Sequence, residues 1–136
     1  MPALSYSKEN IEKHDFKRKI IQGIKKHTIR RYGPGLTKRP FRIGDTLYHY
    51  ERWRTPQRNN FHTNKCLYVA EFWMISTIDN KGQILVNKKI IHGWDWYGIA
   101  INDGFDNFQQ FKDFFIKAGL PFHGQIIGWT EDINYG

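Results

Sequence analysis

A chain of 136 residues with 40% apolar and 16% aromatic content can bury one ordinary hydrophobic core, and we expect a single domain over residues 1–136 with its core at about 10–129. The longest apolar run, residues 66–74, is far shorter than the roughly 20 residues of a membrane-spanning helix, so no membrane partner is expected. The only cysteine, Cys66, excludes a disulfide framework, and the absence of a secretory signal pattern favours a cytoplasmic location.

Positive charge is concentrated in the first half of the chain. Residues 1–65 hold 16 Lys+Arg against 5 Asp+Glu, which gives +11, whereas residues 66–136 hold 5 against 8, which gives −3 and a net charge of +8. A basic half mixed with aromatic residues is typical of proteins that bind phosphates, so we expect RNA, a nucleoside or a nucleotide as the ligand. A basic face that binds an acidic protein is the alternative, and the oligomeric state is left open.

The chain opens with a predicted helix. Apolar residues at near-helical spacing predict it over residues 9–23, with Gly23 as its stop. A turn cluster follows at residues 32–35, and a basic connection leads on from it.

A predicted strand and loop come next. The strand covers residues 46–54, and its alternation places Tyr48, Tyr50, Arg52 and Arg54 on one face. Residues 55–65 contain almost no core material, so we expect an exposed loop there.

The centre of the chain predicts a β-hairpin. One strand covers residues 66–78, a reversal follows at 79–82, and the return strand covers 83–91. Residues 94–98 predict an aromatic loop that closes one end of the core.

The last part of the chain predicts a helix and a strand. Asp106 with Gln109 predicts the helix start, Gly119 its end, and a strand over residues 122–129 follows, with a frayed tail after it. Strands with one helix near each end predict an α+β fold with two main helices, built on a small mixed or antiparallel β-barrel.

The segment from Gly23 to Arg30 contains the most informative spacing. Lys25 and Thr28 stand three residues apart among cationic neighbours, which suits anion binding or a nucleophile activated by a lysine. Like-charge repulsion and burial would favour the neutral form of Lys25, which can accept a proton from Thr28. The alternative is that Lys25 and Arg30 bind phosphate and that Thr28 forms a local hydrogen bond where the strand begins.

A second group of residues predicts a nucleic-acid surface. The rings of the predicted strand can stack on unpaired bases while arginines meet phosphates. Ordinary cross-strand packing is the alternative for the same side chains. The candidate nucleic-acid-binding residues are Lys17, Lys25, Lys26, Arg30, Tyr48, Tyr50, Arg52 and Arg54.

Other chemistries find little support in the sequence. The six histidines show no metal-binding spacing, no glycine-rich phosphate loop is present, and we expect neither a metal nor a nucleotide cofactor. His27 lies inside the Gly23 to Arg30 segment and can be an acid or base in RNA cleavage, or an ordinary core residue.

Several motifs in order resemble one family. They are Gly23-x-Lys25-x-x-Thr28-Ile29-Arg30, Gly44-Asp45, Asp103-Gly104-Phe105 and Gly124-x-Ile126-Ile127-x-Trp129. Together they resemble the ASCH domain family, which implies a PUA-like β-barrel. The resemblance also implies RNA-related work, either as an RNA-binding module or as an amidohydrolase that removes the acetyl group from acetylated cytidine.

The amidohydrolase branch of that family implies a catalytic set. It corresponds to Lys25, Thr28 and Asp103, with an aspartate where the family has a glutamate. In that scheme Thr28 attacks the acyl carbon, Arg30 or a backbone amide stabilises the oxyanion, and Asp103 orients the amine or binds the base edge. In the alternative, Asp103 only caps or turns the chain before the second helix.

Overall fold

The computed structural model describes residues 3–32, 40–75 and 83–135, apart from the side chain of Trp94. These residues form eight strands and four helices, which confirms the predicted α+β class. In chain order the elements are β1 (Ala3–Ser5), α1 (Lys8–Glu12), α2 (Phe16–Ile21), β2 (His27–Arg31), β3 (Thr46–Glu51), β4 (Asn59–Lys65), β5 (Tyr68–Met74), β6 (Ile84–Val86), β7 (Lys89–Ile90), α3 (Gly93–Asn102), α4 (Phe108–Ala118) and β8 (Phe122–Gly128).

The strands pair into two sheets. In the smaller sheet, of order β1-β3-β4, β1 is parallel to β3 and β4 is antiparallel to it. The larger sheet has the order β2-β8-β5-β6-β7, and all its pairs are antiparallel. Among the strands of the described ranges the sheets do not close on themselves, so the predicted barrel is not confirmed.

The predicted helix over residues 9–23 is divided into α1 and α2. Asp15, just before α2, has a left-handed backbone with φ of 57°, a conformation that cannot continue a right-handed helix. The break allows the His14 ring to pack 4.9 Å from the Phe105 ring. The prediction of one continuous helix is therefore wrong.

The strand predicted over residues 46–54 stops at the end of β3. The predicted alternation is confirmed inside β3, where every second side chain is buried: Leu47, His49 and Glu51. Arg52 and Arg54 lie beyond the strand with left-handed backbones, φ 54° and 65°, so their predicted place on the strand face is wrong.

The loop predicted over residues 55–65 is wrong in its second half, because β4 occupies it. Backbone pairing with β3 runs from Thr46 opposite Lys65 to Glu51 opposite Asn59, with a register shift between His49 and Tyr50. The side chains of β4 are mostly exposed or half-buried. The strand therefore lacks the buried apolar alternation from which sequence patterns are read.

The predicted central hairpin is confirmed in part. β5 lies within the strand predicted over 66–78, while the end of that prediction and the reversal at 79–82 lie outside the described residues, as does most of the turn at 32–35. The return strand over 83–91 is split into β6 and β7. Asn87 and Lys88, with φ of 50° and 68°, make the tight turn between them.

The aromatic loop predicted over residues 94–98 is wrong, because these residues belong to α3. The Trp96 ring stacks on Phe108, with centroids 4.9 Å apart, and its Nε1 donates to the Ile91 carbonyl. Ile99 and Ala100 of the same helix are fully buried. Spacings of three and four residues from Trp96 to Ile99 and Ala100 are helical.

The second predicted helix and the last predicted strand are confirmed as α4 and β8. The start of α4 is one residue later than predicted, because Asn107 and not Asp106 is the N-cap. The Asn107 side chain accepts a hydrogen bond from the Gln110 N–H. The Gln110 side chain in turn accepts a hydrogen bond from the Asp106 N–H. Phe111 and Phe115 of α4 pack in the core against Phe72 of β5.

The C-terminal tail is held in place, so the predicted fraying is wrong for residues 133–135. Ile133 is buried at 6% exposure, and the Tyr135 hydroxyl is hydrogen-bonded. None of the helices in the described ranges has the length and apolarity needed to cross a membrane.

Candidate functional site

The site forms where the residues before β2 meet the turn that follows α3. Lys25 is fully buried, and its Nζ donates to the His27 carbonyl (2.7 Å), the Asp103 carbonyl (2.5 Å) and Asp103 Oδ1 (3.3 Å). The structure therefore brings Lys25 and Asp103 together, although 78 positions separate them in sequence.

The three acceptors around Lys25 define its protonation state. Burial lowers the pKa of Lys25 to about 8, and the nearby Asp103 carboxylate partly opposes this change. A neutral amine has only two N–H donors, whereas an ammonium has three. At neutral pH Lys25 is therefore mainly an ammonium group.

His27 extends the network on the far side of Asp103. Its Nδ1 lies 3.2 Å from Asp103 Oδ1, and its Nε2 lies 2.5 Å from the Tyr135 hydroxyl. Burial lowers the pKa of His27, so the ring is neutral. Because the Asp103 carboxylate can only accept, Nδ1 carries the ring proton, and the Tyr135 hydroxyl donates to Nε2. Asn102 in turn donates to the Tyr135 oxygen.

Gly104 permits this close approach. Its backbone has φ of +96°, and a Cβ atom there would lie 2.8 Å from Lys25 Cδ and 2.9 Å from Phe16 Cε1. On the other side of the turn, Lys19 Nζ donates to the Gly104 carbonyl and to Asp106 Oδ1, both at 2.7 Å. Two buried lysines thus fix the Asp103 to Asp106 turn.

A cleft of about 290 Å³ opens beside this network. Three polar residues of the predicted site line it: Thr28, Arg30 and Asp103. Apolar walls surround them, with aromatic rings from five elements or turns: Tyr6, Phe16, Phe105, Phe114 and Phe122. Lys25 does not line the cleft, and it contacts the Asp103 carboxylate from the buried side.

Arg31 and Arg30 both line the cleft, and of the two Arg30 is the less exposed. Its Nη2 donates to the Ser5 carbonyl at 2.7 Å, and its guanidinium lies 5.1 Å from the centre of the Tyr6 ring. Its Nε is buried and has no hydrogen-bond acceptor among the described residues. A buried charged donor without a partner is unfavourable by roughly 1–3 kcal/mol or more, and such groups often mark binding sites.

Tyr6 is held in the cleft wall by a second network. Its hydroxyl lies 2.9 Å from His49 Nδ1, and His49 Nε2 lies 2.9 Å from Asn64 Oδ1. Burial lowers the pKa of His49 to about 4 and raises the pKa of Tyr6, so both groups are neutral. Tyr6 therefore donates to His49, and His49 donates to Asn64.

The remaining predicted nucleic-acid-binding residues lie elsewhere. Lys17 pairs with Glu51 at 2.6 Å, and Lys26 forms an ion pair with Asp132; neither lines the cleft. Tyr48 and Tyr50 are half-buried on the outer face of β3.

Arg52 and Arg54 line a separate, larger cleft of about 920 Å³ at the turn between β3 and β4. The predicted surface is thus divided between two places in the fold.

Sequence reasoning missed Tyr6, Lys19 and Tyr135 as parts of the site. Tyr6 and Tyr135 lie near the chain ends, outside every motif, and no pattern marks them. Lys19 lies on α2 beside other basic residues, yet it is only 5% exposed. Its spacing from the apolar Phe16 and Ile20 was the one available signal.

Comparison of the chain with protein families, curated proteins and solved structures finds no match in any of the three. Within the described ranges, no group of three His, Cys, Asp or Glu side chains is arranged to hold a metal ion.

Proposed function

We propose that the protein binds RNA or a nucleoside by taking one base into the cleft lined by Thr28, Arg30 and Asp103. The observation that carries this proposal is the unpartnered Arg30 Nε in the wall that also contains the Asp103 carboxylate. Base edges present hydrogen-bond donors and acceptors side by side, so a cation and a carboxylate in one cleft complement them.

The rest of the cleft supports the same proposal. The rings of Tyr6, Phe16 and Phe105 are 3–5% exposed and form an apolar wall against which a flat base would pack. The cleft volume of about 290 Å³ suits one base with part of its sugar, near the lower end for small-molecule sites.

The motif resemblance agrees with this proposal. We also propose, on that resemblance, that the two sheets are a variant of the PUA-like barrel of ASCH domains. The cleft does not depend on barrel closure, because β1, β2 and the turn at Asp103 contribute its polar groups.

Calorimetric titration of the four common nucleosides and their 5′-monophosphates tests the proposal. We expect at least one to bind, and Arg30→Gln to weaken its affinity at least about tenfold, since a charged hydrogen bond is worth roughly 1.5–3 kcal/mol. Lys26→Gln removes the same charge outside the cleft and is the matched control. Equal affinities for Arg30→Gln and the parent protein would exclude this cleft as the binding site.

A second candidate function is hydrolysis of an acylated amine such as acetylated cytidine. Thr28 favours it, because its hydroxyl side chain lines the same cleft as Asp103 and follows a lysine whose pKa is lowered to about 8. Thr28 Oγ would attack the acyl carbon as Lys25 takes its proton, the amine would leave with a proton, and water would then hydrolyse the threonine ester. Lys25 lies on the buried side of Asp103, so for this step it must be neutral, release one of its three acceptors and turn its lone pair toward Thr28; it would then pass the proton to the departing amine.

A chromatographic assay with acetylated cytidine distinguishes the two candidates. If the hydrolase proposal holds, acetate and cytidine appear in equal amounts, and Thr28→Val lowers turnover at least about a hundredfold while the affinity for cytidine changes little. If the parent protein binds RNA in a salt-dependent way but shows no turnover, the hydrolase proposal is excluded and the binding proposal is supported.

A further inference from the structure

The turn between β3 and β4 presents a cluster of arginines around one tryptophan. We call this cluster the arginine tip; it consists of Arg52, Trp53, Arg54 and Arg58. The Trp53 ring lies 4.8 Å from the Tyr50 ring, and the Arg58 guanidinium lies 5.6 Å from the centre of the Trp53 ring. All three arginines are exposed, whereas Trp53 is half-buried.

The arginine tip carries three positive charges, and among the described residues two acidic side chains line the cleft that it borders, Glu51 and Glu12. The nearest acidic group is Glu51, whose carboxylate accepts from Lys17 at 2.6 Å and from Asn59 at 3.2 Å. Its distance to Arg52 Nε is 3.9 Å, at the limit of an ion pair, and Arg52 is 66% exposed. Lys17 thus compensates Glu51, and the arginines can bind other anions.

The backbone of the arginine tip is held in an uncommon conformation. Arg52 and Arg54 both have left-handed backbones, and non-glycine residues rarely adopt positive φ. The Thr55 hydroxyl and N–H both bond to the Arg52 carbonyl, at 2.7 and 3.3 Å, and stabilise the turn. Unfavourable backbone conformations persist mainly where the surrounding structure supports them, often at ligand sites.

The two clefts share one wall. Ser5, Tyr6 and Ser7 line both the base cleft beside Asp103 and the 920 Å³ cleft that the arginine tip borders. The two clefts are therefore adjacent, and residues 5–7 lie between the first cleft and the arginine tip.

We infer that the ligand is a single-stranded nucleic acid, with one base in the cleft beside Asp103 and the adjoining nucleotides on the arginine tip. This inference rests on the proposed function. Arg52 and Arg54 bind phosphates, and the Trp53 and Tyr50 rings provide a stacking surface for a neighbouring base. A free nucleoside fills only the first cleft, so the strand binds more tightly and with stronger salt dependence.

Fluorescence anisotropy with labelled pyrimidine and purine hexanucleotides tests the inference, using RNA and DNA versions and a duplex of the same sequence. Arg52→Gln with Arg54→Gln is expected to weaken hexanucleotide binding at least about tenfold and to reduce its salt slope by about 1.4, the value for two phosphate contacts on a single strand. The same double variant leaves nucleoside binding unchanged. Arg42→Gln with Lys88→Gln removes two exposed charges elsewhere and changes either affinity less than about twofold.

Two results would overturn the inference: a hexanucleotide affinity and salt slope that the arginine-tip variant does not alter, or tighter binding of the duplex than of the single strand. Trp53→Ala provides an independent variant, expected to weaken hexanucleotide binding at constant charge. If the arginine-tip variant weakens hexanucleotide binding while Arg30→Gln has no effect, the strand binds the arginine tip but places no base in the cleft beside Asp103. If neither nucleosides nor hexanucleotides bind, both proposals fall.

Discussion

The Lys25 ammonium binds Asp103 twice, through the main-chain carbonyl at 2.5 Å and through Oδ1 at 3.3 Å. This contact joins the start of β2 to the turn after α3, and both side chains are almost completely buried. A buried pair of this kind fixes geometry, because moving either partner leaves a charge without compensation. Asp103 is thereby held in the wall of the cleft.

Replacement of Lys25 by methionine tests the structural importance of this pair. We expect Lys25→Met to lower the free energy of unfolding by about 3–5 kcal/mol, because Asp103 is left as an uncompensated buried charge. Urea unfolding measures the effect. Lys26→Met is the control: its partner Asp132 is exposed, and the expected loss is about 0–1 kcal/mol. Similar losses for both variants would contradict the assignment.

Gly104 is predicted to tolerate no side chain. Gly104→Ala combines a positive φ with Cβ contacts below 3.0 Å to Lys25 and Phe16, so we expect a loss of about 2–4 kcal/mol in thermal or urea unfolding. Gly98, inside α3, has open space around its Cβ position. Gly98→Ala should stabilise the protein by up to about 1 kcal/mol, and the two changes should therefore differ in sign.

The stability of the protein is predicted to fall in mild acid. His49 has a pKa of about 4 when folded against an ordinary value of 6.5, so the unfolded chain takes up the proton first and stability is lost as the pH falls from about 6.5 to about 4. The full effect is on the order of 3 kcal/mol. His27, whose pKa is also lowered by burial, acts in the same direction.

Urea unfolding at several pH values measures this loss. His49→Gln removes one titrating group, so the slope of stability against pH should decrease by up to about 1.4 kcal/mol per pH unit in this range. An unchanged slope in that variant would show that burial does not lower the pKa of His49 in the folded protein.

Sequence patterns predicted the fold well where apolar residues alternate or repeat. The Phe-rich spacing of α4 and the apolar runs of β5 and β8 are such patterns, because burial of these side chains determines both the pattern and the structure. β4 escaped prediction, since its stability comes from backbone pairing with β3. The helix break at Asp15 depends on one residue's backbone conformation, which no periodicity reveals.

The site was predictable only in its motif residues. Lys25, Thr28 and Asp103 were identified as candidates. In the structure Thr28 and Asp103 line one cleft, and Lys25 contacts Asp103 from its buried side. The roles of Tyr6 and Tyr135 depend on where the chain ends fold back, and local spacing does not encode such long-range contacts. Arg30 was expected to bind an anion, but its buried Nε emerges only from the packing around it.

Tyr135 is predicted to stabilise the site through its hydroxyl. Tyr135→Phe removes the donor to His27 Nε2 and the acceptor of Asn102, so we expect a loss of about 1–3 kcal/mol, because a buried acceptor is left unsatisfied. Tyr97→Phe removes a hydroxyl from a side chain that is 62% exposed and should change stability by less than about 0.5 kcal/mol. Equal effects of the two changes would mean that the tail contact contributes nothing.

The most direct test of the base cleft is a titration of the isotope-labelled protein with nucleosides, followed by amide nuclear magnetic resonance shifts. We expect the largest shifts at Thr28, Arg30 and the Asp103 to Phe105 turn, and no shift at the arginine tip with a free nucleoside. Shifts centred on another surface, or no shifts at several millimolar nucleoside, would contradict it.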